Sequence, residues 1–144
     1  MYTADPAHQA WLEQWLTEHG GTAGTVHVQR GTDLYLTAAH HIPPPVIAAV
    51  THVPYGKGMA GVAQVRQAPV QTCNLQTDQT GNIKPGAKAV NAQAAVALPV
   101  FDAAGEIRAI VGIAWHDERV LDAAQESALA QSATSLPVGG RPSP

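Results

Sequence analysis

One cysteine, Cys73, is all the thiol chemistry that the 144-residue chain offers, and no disulfide can form within it. That suits a reducing compartment and leaves the fold to its hydrophobic core. Charge is scarce as well: 13% of residues are Asp, Glu, Lys or Arg, against about 25% in an average domain. The eight Lys and Arg are scattered and the net charge is −3. A nucleic-acid surface needs several cations on one face, so that class is excluded. No apolar run approaches the ~20 residues that span a bilayer, and no basic segment followed by an apolar stretch opens the chain. The expectation is a single cytoplasmic domain with no membrane and no nucleic-acid partner.

Several chemical signatures are missing too. Glycines stand at 56, 58 and 61 beside Lys57, yet the phosphate-gripping pattern Gly-x-x-x-x-Gly-Lys-Ser/Thr is absent. Nor does a Gly-x-Gly-x-x-Gly run follow a strand, so tight turning and close helix packing explain these glycines better. Seven histidines are many for this length, but none has zinc-ligand spacing with Cys, Glu or another His. His40 and His41 are adjacent, and neighbours in a strand face opposite ways. No internal repeat is present. Cys73 falls in a strand pattern and has no resolving thiol, so a small buried apolar role outweighs catalysis.

What the chain does have is a mixture of helical and alternating segments. Asp5 before Pro6 caps a helix start, apolar residues follow at 7, 11, 12, 15 and 16, and Gly20-Gly21 ends the helix. Alternating runs at 25–29 and 34–37 around a Gly31 turn predict a β-hairpin. Pro43 to Pro45 break the chain before one or two helical turns at 46–50. Helical spacing then covers 59–66, and 69–74 reads as a central strand. Two further strands are expected near 94–101 and 107–116, and helix composition returns at 125–135. The layers imply an α+β domain over residues 1–136 with about five antiparallel strands. A Pro/Gly tail over 137–144 is expected to be disordered.

The segment Val53-Pro54-Tyr55-Gly56-Lys57-Gly58-Met59-Ala60-Gly61, its helix, the strand at 69–73 and the late hairpin resemble a GAF domain. The resemblance spans roughly residues 5–136. It implies helices at both termini packed on one sheet face, with a loop and short-helix layer on the other. It also implies a small-molecule sensor. One stand-alone GAF-like family reduces free methionine-R-sulfoxide through cysteines. At its cysteine positions this chain has Met59 or Ala60 and the cysteine-free stretch 76–91, so similarity of plan survives without the redox residues. Bilin-binding relatives anchor through a Cys often followed by His, whereas Asn74 follows Cys73. The Asn-Lys-x-Phe-Asp-Glu motif of cyclic-nucleotide binders is absent, and His116 at a strand end is a minority candidate for haem.

The expected ligand site lies between the central sheet and the 76–91 loop, lined by Tyr55, Met59, Asn74, Asn91, Gln93 and Trp115. Apolar walls with a few amides suit a small, partly polar molecule, with Lys84 or Lys88 at hand for an anion. No cofactor can be named from the residues. Trp11 and Trp15 share one helix face, and GAF-like modules commonly pair through terminal helices, so a homodimer through this face is expected. The leading reading is a binding or regulatory module without catalysis. Its rivals are a methionine-sulfoxide-reductase-like enzyme using Cys73 and a purely structural dimerisation module.

Overall fold

The computed structural model describes residues 3–72, 94–117 and 119–138. Four helices lie among them: α1 (Pro6–His19), α2 (Pro44–Val50), α3 (Gly58–Arg66) and α4 (Ala123–Ala133). Six strands, β1 (Ala23–Arg30), β2 (Asp33–His40), β3 (His52–Val53), β4 (Val70–Thr72), β5 (Ala94–Phe101) and β6 (Ile107–Trp115), form one sheet in the order β3-β2-β1-β6-β5-β4. Every neighbouring pair is antiparallel. The α+β expectation holds, with one strand more than the five foreseen. The extra strand is β3, two residues long, too short for any alternation to announce it.

Alternation along the strands sorts side chains onto two faces. Val96, Leu98 and Val100 of β5, with Val111, Ile113 and Trp115 of β6, join Leu12, Trp15 and Leu16 of α1 and Leu129 and Ala133 of α4 in one buried cluster. The terminal helices therefore cover this face together. The other face meets α2 and α3. There Leu34, Ala63, Val70, Ala97 and Ile110 form a smaller cluster, with Met59, Ala60 and Val62 packed against it.

The local signals explain the element ends. The Asp5 carboxylate accepts from the N–H groups of Ala7 and His8 at 2.9 and 3.2 Å, and Gly20 closes α1 at φ 69°. At α4, Asp122 and Gln125 form a reciprocal capping box, so the helix starts at 123 rather than 125. The expected opposition of His40 and His41 does not occur. His41 turns to φ 56° as β2 ends, and the two rings stack with centroids 3.9 Å apart. Gly61 packs against the turn before α3: a Cβ there would lie 2.4 Å from the carbonyl carbon of Gly56. That contact gives the glycines their packing role.

Trp15 is buried and donates its indole N–H to Ser132 Oγ at 2.8 Å. Trp11 stacks on it with centroids 5.2 Å apart and donates to Ser135 Oγ. Both tryptophans thus bind α1 to the end of α4 within this chain. Pro137, the first residue of the expected tail, accepts from His8 Nε2 at 2.9 Å and from Arg108. Residues 139–144 lie outside the described residues.

Candidate functional site

Between the sheet and the α2–α3 layer is a cavity of about 590 Å³, within the range of small-molecule sites. Its floor is made by β1, β6 and β5, where Ala23, Ala95, Ala97, Gly112 and Ala114 present little or no side chain. Helix α2 contributes Val46, Ala49 and Val50, and α3 contributes Met59 and Ala60. Protein interiors are normally packed to crystal density. Here small residues on the sheet face leave a space that the helices bridge without filling.

Two polar side chains interrupt this apolar wall. Thr25 and His27 stand two positions apart on β1 and both line the cavity. Thr25 pairs with Gly112 across the sheet, and a Cβ on Gly112 would come 3.0 Å from Thr25 Oγ1. The absent side chain therefore keeps space open beside the hydroxyl. His27 is 4% exposed. Its Nε2–H donates to the Val50 carbonyl at 2.9 Å, because a carbonyl can only accept. Nδ1 is then an unprotonated acceptor, and it is buried with no hydrogen-bond partner among the described residues. Burial lowers the pKa of His27 from 6.5 to about 4, against a smaller opposing effect of the Val50 carbonyl. The ring is neutral at pH 7.

The rim is more polar. His52 Nε2 lies 2.6 Å from Asp33 Oδ2, and its ring stacks on Tyr35 at 4.9 Å. Asp33 Oδ1 also accepts from the Tyr55 N–H at 3.1 Å. The His52 hydrogen bond holds the half-buried Asp33 carboxyl below its usual range. Buried Gln64 of α3 donates to Gln29 Oε1 and to the Thr32 carbonyl at 2.9 and 2.8 Å, which ties the helix to the β1–β2 hairpin. The rim segment 52–57 is thus fastened at its start by Asp33 and beneath by α3. Lys57 lies at the rim, exposed.

Of the six residues expected to line the site, Met59 is on the cavity wall. Tyr55 is 52% exposed and lies outside the lining. Trp115 faces the terminal helices, where its indole N–H donates to the His19 carbonyl at 3.1 Å. Asn74, Asn91 and Gln93 lie outside the described residues, as do Cys73, Lys84, Lys88 and the 76–91 loop. His116 follows β6, exposed and away from the lining. Among the described residues, no group of three His, Cys, Asp or Glu is placed to hold a metal. Thr25, His27 and Gly112 were missed from the sequence. An isolated glycine inside an otherwise apolar strand was the available signal, since it marks a close approach or an open site.

No protein-family model matches the chain, and no curated protein does. Solved structures do match it. The GAF domain of a phosphoenolpyruvate-protein phosphotransferase from Coxiella burnetii superposes with a TM-score of 0.74 at 14% identity, covering 91% of this chain and 78% of that one. Type II free methionine-R-sulfoxide reductase from Thermoplasma acidophilum gives 0.69 at 16% identity, covering 88% and 86%. Free methionine-R-sulfoxide reductase from Neisseria meningitidis, solved with its substrate, gives 0.66 at 16%, covering 88% and 75%. Identities this low speak for architecture alone. The chain has the fold of a GAF domain.

Proposed function

We propose that this chain is a regulatory module that binds a small molecule in the cavity beneath α2 and α3 and performs no chemistry on it. The observation that carries this reading is a space of about 590 Å³ walled mainly by Ala, Val, Ile and Met. Apolar walls with a few fixed polar groups are the usual plan of a ligand site. The described lining holds no Asp or Glu, so a zwitterion such as methionine sulfoxide meets no carboxylate there for its ammonium group. That favours binding over the reductase activity of some fold neighbours. A cytoplasmic location belongs to the same proposal and rests on the lone cysteine.

A fragment screen by thermal shift tests the reading, with native mass spectrometry of the purified protein to detect retained ligand. The comparison protein is Ala95→Leu, which extends a side chain into the cavity. Fragments that raise the Tm of the wild type but not of Ala95→Leu are expected. A screen in which no fragment distinguishes the two proteins would contradict it.

Pairing of two copies through the terminal helices completes the proposal. Trp15 is already committed to the core, so Trp11, partly buried, is the aromatic left to support the contact. Light scattering on the wild type and on Trp11→Glu tests this, and a wild type that stays monomeric at high micromolar concentration contradicts it.

A further inference from the structure

The cavity's chemistry narrows the ligand class, on the reading that the cavity is a binding site. We infer that it takes an uncharged molecule with an apolar body and one hydrogen-bond donor, hydroxyl or N–H, which Nδ1 of His27 accepts beside the Thr25 hydroxyl.

Three observations carry this. First, Nδ1 is buried and has no partner among the described residues, although Nε2 is firmly engaged by Val50. Leaving a buried acceptor unpaired is unfavourable, so a donor brought by a ligand gains more there than at a solvated site. Second, Gly112 opposite Thr25 leaves space beside the hydroxyl, where a Cβ would crowd Oγ1 at 3.0 Å. A polar head fits this notch while its apolar body rests on the alanine floor. Third, the walls disfavour charge. Apart from the exposed rim groups Lys57 and His52, the described lining contains no other charged or titratable side chain except His27. Burial keeps His27 neutral at pH 7, so it offers no counter-charge to a carboxylate. An ion driven into such a wall would lose its hydration without compensation.

The polarity of the hydrogen bond is specific. An ether or a ketone presents only acceptors: the Thr25 hydroxyl can donate to them, but they leave the buried, unprotonated Nδ1 unpaired, which only a donor relieves. A matched set of bicyclic probes separates the cases: 2-naphthol donates and accepts, 2-methoxynaphthalene accepts only, naphthalene does neither, and 2-naphthoate is charged. Affinities come from fluorescence or calorimetric titration at pH 7. The expected order is 2-naphthol about tenfold tighter than 2-methoxynaphthalene and naphthalene, in line with one hydrogen bond to a buried acceptor, and 2-naphthoate weakest of the four.

In His27→Leu the preference for 2-naphthol over 2-methoxynaphthalene is expected to collapse to about one. Should that variant fail to fold, the ¹⁵N resonance of His27 Nδ1 in the wild type decides the point. It shifts on adding 2-naphthol and stays in place with 2-methoxynaphthalene. Equal binding of the three neutral probes, or an unmoved Nδ1 resonance, would overturn the anchor while leaving the cavity a binding site. Tightest binding by 2-naphthoate would overturn the neutral class. If none of the four probes bound, the reading of the cavity as a ligand site would itself fail.

Discussion

At the residue scale, burial does to His27 what no neighbouring charge offsets: its pKa falls from 6.5 to about 4 because the charged ring would be stripped of water. In the unfolded chain the same imidazole takes a proton as soon as pH falls through 6.5. Between these values the unfolded state binds more protons, so stability rises with pH. His27 therefore weighs least against the fold above about pH 6.5 and destabilises it progressively as pH falls toward 4. From pH 7 to pH 5 the loss expected from this group is about 2 kcal/mol. Urea titrations of wild type and His27→Leu at both pH values measure it. The wild type should lose about 2 kcal/mol more than the variant, and equal losses would contradict burial as the cause. Asp33, whose carboxyl is held low by His52, gives up its contribution only at more acidic pH, and the comparison with His27→Leu singles out this histidine.

Elements were legible where a local rule decides them, and less so where a partner decides. Asp5, Pro6 and Gly20 bound α1 by chemistry that any chain would obey. The apolar runs of β5 and β6 marked both strands to within a residue. α4 starts two residues before the expected 125 because the Asp122–Gln125 box sets its first turn. Trp115 shows the harder problem. Its strand was clear, but which face of the sheet carries the cavity depends on where α1 and α4 dock, and strand parity alone does not tell. His27 and Thr25 were hidden for the same reason, since polar residues in a hairpin read as solvent-facing until the third layer is known. Two substitutions test the packing. Gly61→Ala must displace the Gly56 backbone and should cost about 1–3 kcal/mol in chemical denaturation. Trp15→Ala should cost about 3–5 kcal/mol, because the ring lies in the main cluster and its N–H is bonded to Ser132. A loss below 1 kcal/mol at both positions would contradict the packing described.

For the whole molecule, the two sheet faces do different work. The terminal helices and their tryptophans close one face into a dense core that also fixes Pro137 through His8 and Arg108. On the opposite face Leu34, Val70 and Ile110 make a smaller cluster, and the alanines and glycine of the cavity floor leave the rest open under α2 and α3. The packed core and the open cavity are thereby separated across the sheet, and under the proposed function a ligand is sensed on one side only. The resemblance read from the glycine-rich turn and late hairpin reached this fold, although matching structures share as little as 12% identity with the chain. It did not reach the site's chemistry, because small residues on a sheet face specify a space without specifying its occupant. Methyl NMR of the ¹³C-labelled protein during titration with 2-naphthol tests the central claim most directly. Shifts are predicted at Met59, Val46 and Ile110, on the cavity wall, while Leu12 and Leu129 in the opposite cluster stay in place. Shifts centred on the terminal helices, or none at the cavity methyls, would contradict it.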